Sequence, residues 1–252
     1  VTGVAYPKGT AKAIARSLRV YHRDREHHAA MDALYSGFLK PGDLAFDVGA
    51  HVGDRISSFR RLGARVVALE PQPGPARAIR LIHGRDRDVT LVQAACGDRV
   101  GTVTLRINSA NPTVSTVSEQ FVGAAHGAEG WTGQVWDREI TVPCTTLDAL
   151  ISRYGEPAFI KIDVEGFEAN VLAGLSRRVP VISFEFTTIQ RDVAEGCLAL
   201  LETLGPYRFN VALGESQFLE LAEEASAEAM GGFLRDLPHS ANSGDVYAVL
   251  QR

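Results

Sequence analysis

Leu44 to Asp54 reads LAFDVGAHVGD, and the rest of the chain can be placed around it. Leu44, Ala45, Phe46, Asp47 and Val48 predict a short apolar strand. Gly49 and Gly53 frame a turn, and Ile56, Phe59 and Leu62 follow at helical spacing. Strand, glycine turn and helix in that order open a nucleotide-binding βαβ unit. Glycine at such a turn lets backbone approach a ligand, and the amides at the helix start can face a polar group.

The glycine spacing narrows the ligand. A dinucleotide fingerprint is G-x-G-x-x-G. Here Gly49, Ala50, His51, Val52 and Gly53 give G-x-x-x-G, with His51 where the glycine that admits a pyrophosphate would stand. Asp47, just before the turn, suits a cationic ligand group better than a diphosphate. Arg65 to Leu69 predicts a second strand, and Glu70 follows Gly49 by 21 residues, where an acid grips ribose hydroxyls. A ligand with a ribose, a cationic amine and no phosphate is S-adenosylmethionine. The plain alternative is a structural turn that binds nothing.

Composition sets the class. The chain has 252 residues, so one domain spanning 1–252 is expected. With 26 basic and 30 acidic residues and a net charge of −4, no basic excess points to nucleic acid or an anionic membrane. Cys96, Cys144 and Cys197 are far apart and odd in number, so neither a metal spacing nor a disulfide framework is implied, and a reducing, cytoplasmic setting fits. VTGVAYPKGT at the N-terminus has no long apolar core and does not read as a signal peptide. No run approaches a transmembrane span.

Residues 10–20 and 25–39 carry helical apolar spacing, the second through Met31, Leu34, Tyr35 and Phe38. Residues 1–40 are therefore expected to form a helical cap over the sheet or the ligand cleft, with His27 and His28 as a surface pair. Residues 76–82 predict a helix and 89–94 a third strand. Cys96 reads as a small neighbour of an adenine ring. Asp98 fits a turn cap or a partner of the adenine amine equally well.

Residues 100–107 and 139–144 alternate like strands. Between them, 108–137 is long, polar and glycine-rich, with Trp131 and Trp136, and reads as an insertion covering the acceptor side. A second dense stretch, FIKIDVEGFE, spans 159–168. Phe159, Ile160 and Ile162 form a buried strand with Asp163 at its carboxyl end, where open α/β sheets bind ligands. Glu165 and Glu168 fall in the following turn and helix start, and three carboxylates in six residues exceed what helix capping needs. A strand over 180–186 puts Glu185 beside Asp163 if the two strands are neighbours. Helices over 193–204 and 221–234, a strand over 207–213 and a closing antiparallel edge strand over 245–250 complete the pattern.

DVGAHVGD at 47–54, LEP at 69–71 and IKIDVEGFE at 160–168, with VLAGL behind it, resemble the FkbM family of S-adenosylmethionine-dependent methyltransferases. The resemblance covers about residues 44–186. It implies a Rossmann-like, seven-stranded, mostly parallel sheet with an antiparallel last strand. It also implies methyl transfer, usually to a hydroxyl of a sugar or secondary metabolite. By resemblance, Asp47, Gly49, Ala50, His51 and Gly53 surround the methionine part, with Asp163 close by. Glu70 holds the ribose, and Ala95 and Cys96 border adenine. The family commonly has Asn where this chain has His51.

Asp163, Glu165 and Glu185 are the catalytic candidates. One would serve as base, or two would hold a divalent ion through oxygen ligands. The expected partner is a small hydroxyl-bearing acceptor. Two other classes stay open: a nicotinamide oxidoreductase, which His51 argues against, and a non-catalytic S-adenosylmethionine-binding module.

Overall fold

Every residue of β1 (Leu44–Val48) is buried, which only a strand covered on both faces allows. Leu44, Phe46 and Val48 face one layer of helices, and Ala45 faces the other. The computed structural model describes residues 10–251, so the start of the expected N-terminal cap lies outside the described residues.

Two helices precede β1: α1 (Thr10–Arg23) and α2 (Arg25–Ser36). After β1 the chain alternates through α3 (Asp54–Arg61), β2 (Arg65–Leu69), α4 (Pro73–His83) and β3 (Val89–Val92). β4 (Ala95–Cys96), β5 (Gly101–Ile107) and β6 (Arg138–Thr145) form a separate three-stranded sheet in the order β4-β6-β5. The chain then returns through α6 (Leu147–Tyr154), β7 (Phe159–Ile162), α7 (Glu168–Ala173), β8 (Val181–Thr187), α8 (Arg191–Leu204), β9 (Tyr207–Leu213), α9 (Ala227–Asp236) and β10 (Ser243–Leu250). One helix, α5 (Glu119–Ala125), lies inside the insertion.

The main sheet has seven strands in the order β3-β2-β1-β7-β8-β10-β9. β10 runs antiparallel to both its neighbours, and the other pairings are parallel. This is the Rossmann-like α/β sheet expected from the sequence. Strand order reverses between β1 and β7, which opens a crevice at their carboxyl ends. One face packs α6, α7, α8 and α9 through residues such as Leu150, Val171, Leu198 and Leu234. The other packs α2, α3 and α4 through Met31, Tyr35, Ile56, Phe59 and Ile79. Each such side chain contributes roughly 1.5–3 kcal/mol by leaving water.

Several expected elements differ. The last strand is not at the sheet edge but between β8 and β9. Its consecutive buried residues Val246, Tyr247 and Ala248 are the mark of a strand covered on both faces. The helix placed over 221–234 begins only at Ala227. Asn210 holds both the N–H and the carbonyl of Leu221, and the Ser226 hydroxyl caps the later start by accepting from Ala229 N–H. The third strand stops at Val92 because Ala95 and Cys96 pair with β6 in the second sheet.

The insertion also carries its own structure. Phe121 packs edge-on against Trp131 at 5.0 Å, with Val114 and Ala125 in the same cluster. His27 and His28 are half-buried rather than a surface pair, and a His28 ring nitrogen lies 2.7 Å from the Tyr21 carbonyl at the end of α1. Among the described residues, no helix is long and apolar enough to cross a membrane.

Candidate active site

Gly49 turns the chain out of β1 with φ +90°, a conformation costly for any residue with a side chain. A Cβ there would also run into the carbonyl of Asp163. The first reason for this glycine is therefore the close approach of the β7 loop, which brings the two dense sequence stretches together. His51 follows with φ +42°. His is among the side chains that tolerate the left-handed region best, so His51 can hold this conformation.

The His51 N–H donates to Glu70 Oε2 at 2.9 Å, and Gln72 N–H donates to Oε1 at 2.7 Å. Two backbone amides thus fix the Glu70 carboxyl beside the glycine turn. Burial pushes its pKa up to about 8 despite those donors. Burial pushes the His51 imidazole down to about 4, so it is neutral near pH 7.

The crevice forms a partly open cleft with both polar and apolar side chains on its walls. Gly49, Ala50, His51, Glu70, Ala95, Cys96, Asp163, Glu165 and Glu185 all line it. Asp47 and Gly53 do not. Asp47 is fully enclosed on the α2–α3 side of the sheet, with neither carboxyl oxygen hydrogen-bonded, and burial pushes its pKa up to about 7. Gly53 starts α3 at φ +83° and packs on His83. Alternation along β1 sends Asp47 under the sheet while the turn after it opens to the cleft. Cys96 is buried, and burial raises its thiol pKa, so it is a wall and not a nucleophile. Asp98 is exposed and does not line the cleft.

The carboxylates meet as the strand register requires. β7 and β8 pair in parallel with Ile162 opposite Phe184, so Asp163 and Glu185 follow side by side. One carboxyl oxygen each from Asp163, Glu165 and Glu185 lies within 4.8 Å of the others. Glu168 is used differently: its Oε1 accepts the N–H groups of Val164 and Gly166 and holds the turn. Burial alone would raise the Asp163 pKa, but Lys161 and Arg55 hold it below the ordinary carboxylate range. Glu165 and Glu185 go the other way, raised first by burial and then by the charge of Asp163. Within one cluster, then, Asp163 is favoured in its ionised form while burial and the charge of Asp163 favour the protonated forms of Glu165 and Glu185.

Two cations absent from the expected site organise it. Lys161 is fully buried, with Nζ 2.8 Å from Asp245 Oδ1 and 3.2 Å from Asp163 Oδ2. A lysine inside the apolar strand FIKI was the available signal for it. Arg55 ties Asp54, Glu215 and Asp163 together at 2.9, 3.5 and 4.0 Å. Nothing in the sequence marks Glu215, which arrives from the loop after β9. Tyr21 of α1 and Thr113 and Ser115 of the insertion close the cleft. Arg16 donates to the Ala110 carbonyl, Gln72 to that of Pro112 and Thr116 to that of Glu165, so the cap is tied to the insertion, and the insertion to the segment after β2 and to the carboxylate turn.

Comparison with known proteins decides the family. The model of the methyltransferase FkbM domain matches residues 47–226, well over half of the chain. The chain belongs to that family. A curated FkbM relative, the 31-O-demethyl-FK506 methyltransferase of Streptomyces tacrolimicus, is 33% identical over 162 residues. That stretch is 54% of this chain and 61% of the relative, so the match spans about three-fifths of the relative's length.

Among solved structures, the FkbM domain is similar to precorrin-6y C5,15-methyltransferase from Geobacter metallireducens GS-15. The TM-score is 0.47 at 17% identity, over 91% of this chain and 89% of that one. Aeropyrum pernix fibrillarin in complex with natively bound S-adenosyl-L-methionine gives 0.41 at 13% identity, over 86% and 73%.

The raised acids set a pH dependence. A carboxyl whose folded pKa is raised keeps its proton while the unfolded chain loses it. Its stabilising contribution is full below the unfolded pKa and is lost as pH rises through the folded one. For Glu70 and Asp47, at about 8 and about 7, that window runs from roughly pH 4 to those values. Urea unfolding of the ligand-free protein is expected to show stability falling across this range, and Glu70→Gln should flatten the slope. A slope unchanged in the variant would contradict the buried neutral Glu70.

Proposed function

We propose that this FkbM domain transfers a methyl group from S-adenosylmethionine to a hydroxyl oxygen of a sugar or other small metabolite. The observation that carries this reading is the cleft itself, with an aimed Glu70 at one end and the Asp163 cluster at the other. The residues fit the donor. Glu70 would accept ribose hydroxyls with its remaining lone pairs. Leu69, Ala95, Cys96 and Leu105 offer an apolar wall for the adenine. Gly49, Ala50 and His51 give close backbone approach to the methionine part. When bound, the donor supplies an electrophilic methyl carbon on a sulfonium.

The chain's own part is to align the acceptor and take its proton. Asp163, a quarter exposed at 24%, is the carboxylate that stays ionised and faces the cleft. It would accept the hydroxyl proton, with Glu165 and Glu185 beside it on the acceptor side of the cleft. α1 and residues 108–137 would serve as the acceptor's cover, all within one catalytic unit. The relative's name, a methyltransferase for a 31-O-demethyl compound, supports oxygen as the methylated atom. Three free, buried cysteines support a reducing, cytoplasmic setting.

Calorimetry with S-adenosylhomocysteine tests the donor. Binding is expected in the absence of any acceptor, and Glu70→Ala should weaken it by roughly 1–3 kcal/mol through loss of the ribose hydrogen bonds. Tight NADH binding without S-adenosylhomocysteine binding would instead make the chain an oxidoreductase. Unchanged affinity in a folded Glu70→Ala variant would remove Glu70 from the site.

A further inference from the structure

We propose that Asp163, Glu165 and Glu185 form a binding site for one divalent cation at the acceptor end of the cleft. Each side chain offers an oxygen, and these oxygens lie within 4.8 Å of one another. Hard divalent ions take oxygen ligands at about 2.0–2.6 Å, so ligands on opposite sides of such an ion stand about 4–5 Å apart. Three carboxylates near one another are common without an ion, and a second observation is what separates this group.

Glu165 is only 7% exposed and lines the cleft, yet its carboxyl takes no hydrogen bond from any described residue. Glu185 Oε2 is fully enclosed and also without a partner. For the enclosed Glu185 Oε2 this is costly, since native structures rarely leave a buried carboxyl oxygen without a donor. The neighbouring cations do not relieve them. Lys161 is spent on Asp245 and Asp163 Oδ2, and Arg55 on Asp54, Glu215 and the same Asp163 oxygen. The open acids therefore face each other across a space of ionic size, beside the position where an acceptor hydroxyl would stand.

The site follows from these three side chains alone. Only its use rests on the methyl-transfer reading: an ion there would fix the acceptor oxygen and favour its ionised form. The donor set is all oxygen and includes three carboxylates, which suits magnesium, manganese or calcium and not the softer metals.

The probe is Mn²⁺, followed by electron paramagnetic resonance with the whole chain, with and without S-adenosylhomocysteine. One ion per chain is expected, displaced by excess Mg²⁺. Glu165→Gln and Glu185→Gln should each weaken binding about tenfold or more, since each removes a charged ligand. Glu195→Gln, at an exposed pair with Arg235, should leave it unchanged. Thermal unfolding of the same samples checks that the variants fold, and added Mn²⁺ should raise the melting temperature of the native chain but not of the two site variants.

Absence of stoichiometric Mn²⁺ at about 1 mM, with or without S-adenosylhomocysteine, would overturn the site. So would equal Mn²⁺ affinity in the native chain and both site variants. S-adenosylhomocysteine calorimetry without metal reports on the donor separately, so a failed ion site and a failed donor site give different results.

Discussion

Asp163→Asn is expected to lower methyl transfer by roughly 10²- to 10⁴-fold, the range associated with loss of a positioned general base. The amide keeps the shape of the side chain but cannot accept a proton. S-adenosylhomocysteine affinity should change far less, because Glu70 and the backbone of the glycine turn are untouched. Lys161 keeps Asp245 as a partner at 2.8 Å, so the variant should fold. Single-turnover measurements with any hydroxylated acceptor that supports transfer would separate the chemical step from binding. Full activity in a folded Asp163→Asn protein would exclude Asp163 as base.

Lys161→Met is expected to destabilise the fold by about 3–5 kcal/mol at neutral pH, the scale of breaking a buried ion pair by removing one partner. Methionine fills much of the lysine's volume, so lost packing is a minor part. The main cost is electrostatic: Asp163 and Asp245 would share the region without the ammonium between them. Lys161→Arg should not restore stability, because the bulkier planar guanidinium has no room at a position with no exposed surface. Urea unfolding of both variants at pH 7.5 would check this. A loss below about 1 kcal/mol for Lys161→Met would mean that Asp245 and Asp163 are satisfied by other groups.

Much of the cleft was legible because its residues sit in short, dense segments. A strand that runs straight into a glycine turn places Gly49, Ala50 and His51 at the end of β1 whatever the rest of the chain does. The spacing to Glu70 counts out one helix and one strand. Asp163 and Glu185 needed one assumption, that β7 and β8 are neighbours, and the parallel register then puts them side by side.

Asp47 shows the limit of that approach. It belongs to the same motif, but strand alternation turns it to the opposite face, and only the packed helices α2 and α3 reveal that this face is closed. Glu215 and Tyr21 show the same limit at longer range: they come from opposite ends of the chain and meet at Arg55 or on the cleft wall.

By itself the sequence determined the α/β class, the glycine turn with its acid at the end of β2, the carboxylate turn and the family they belong to. Each of these is local, set by strand and helix periods and by the φ values that glycine allows. Tertiary structure alone decided that the last strand lies inside the sheet and that the insertion has its own aromatic core. It also decided that Lys161 and Arg55 hold Asp163 ionised while Glu165 and Glu185 are left without donors. Those outcomes depend on which groups end up within a few ångströms after burial. At low dielectric, such neighbours govern the charge of a carboxyl more than its place in the chain does.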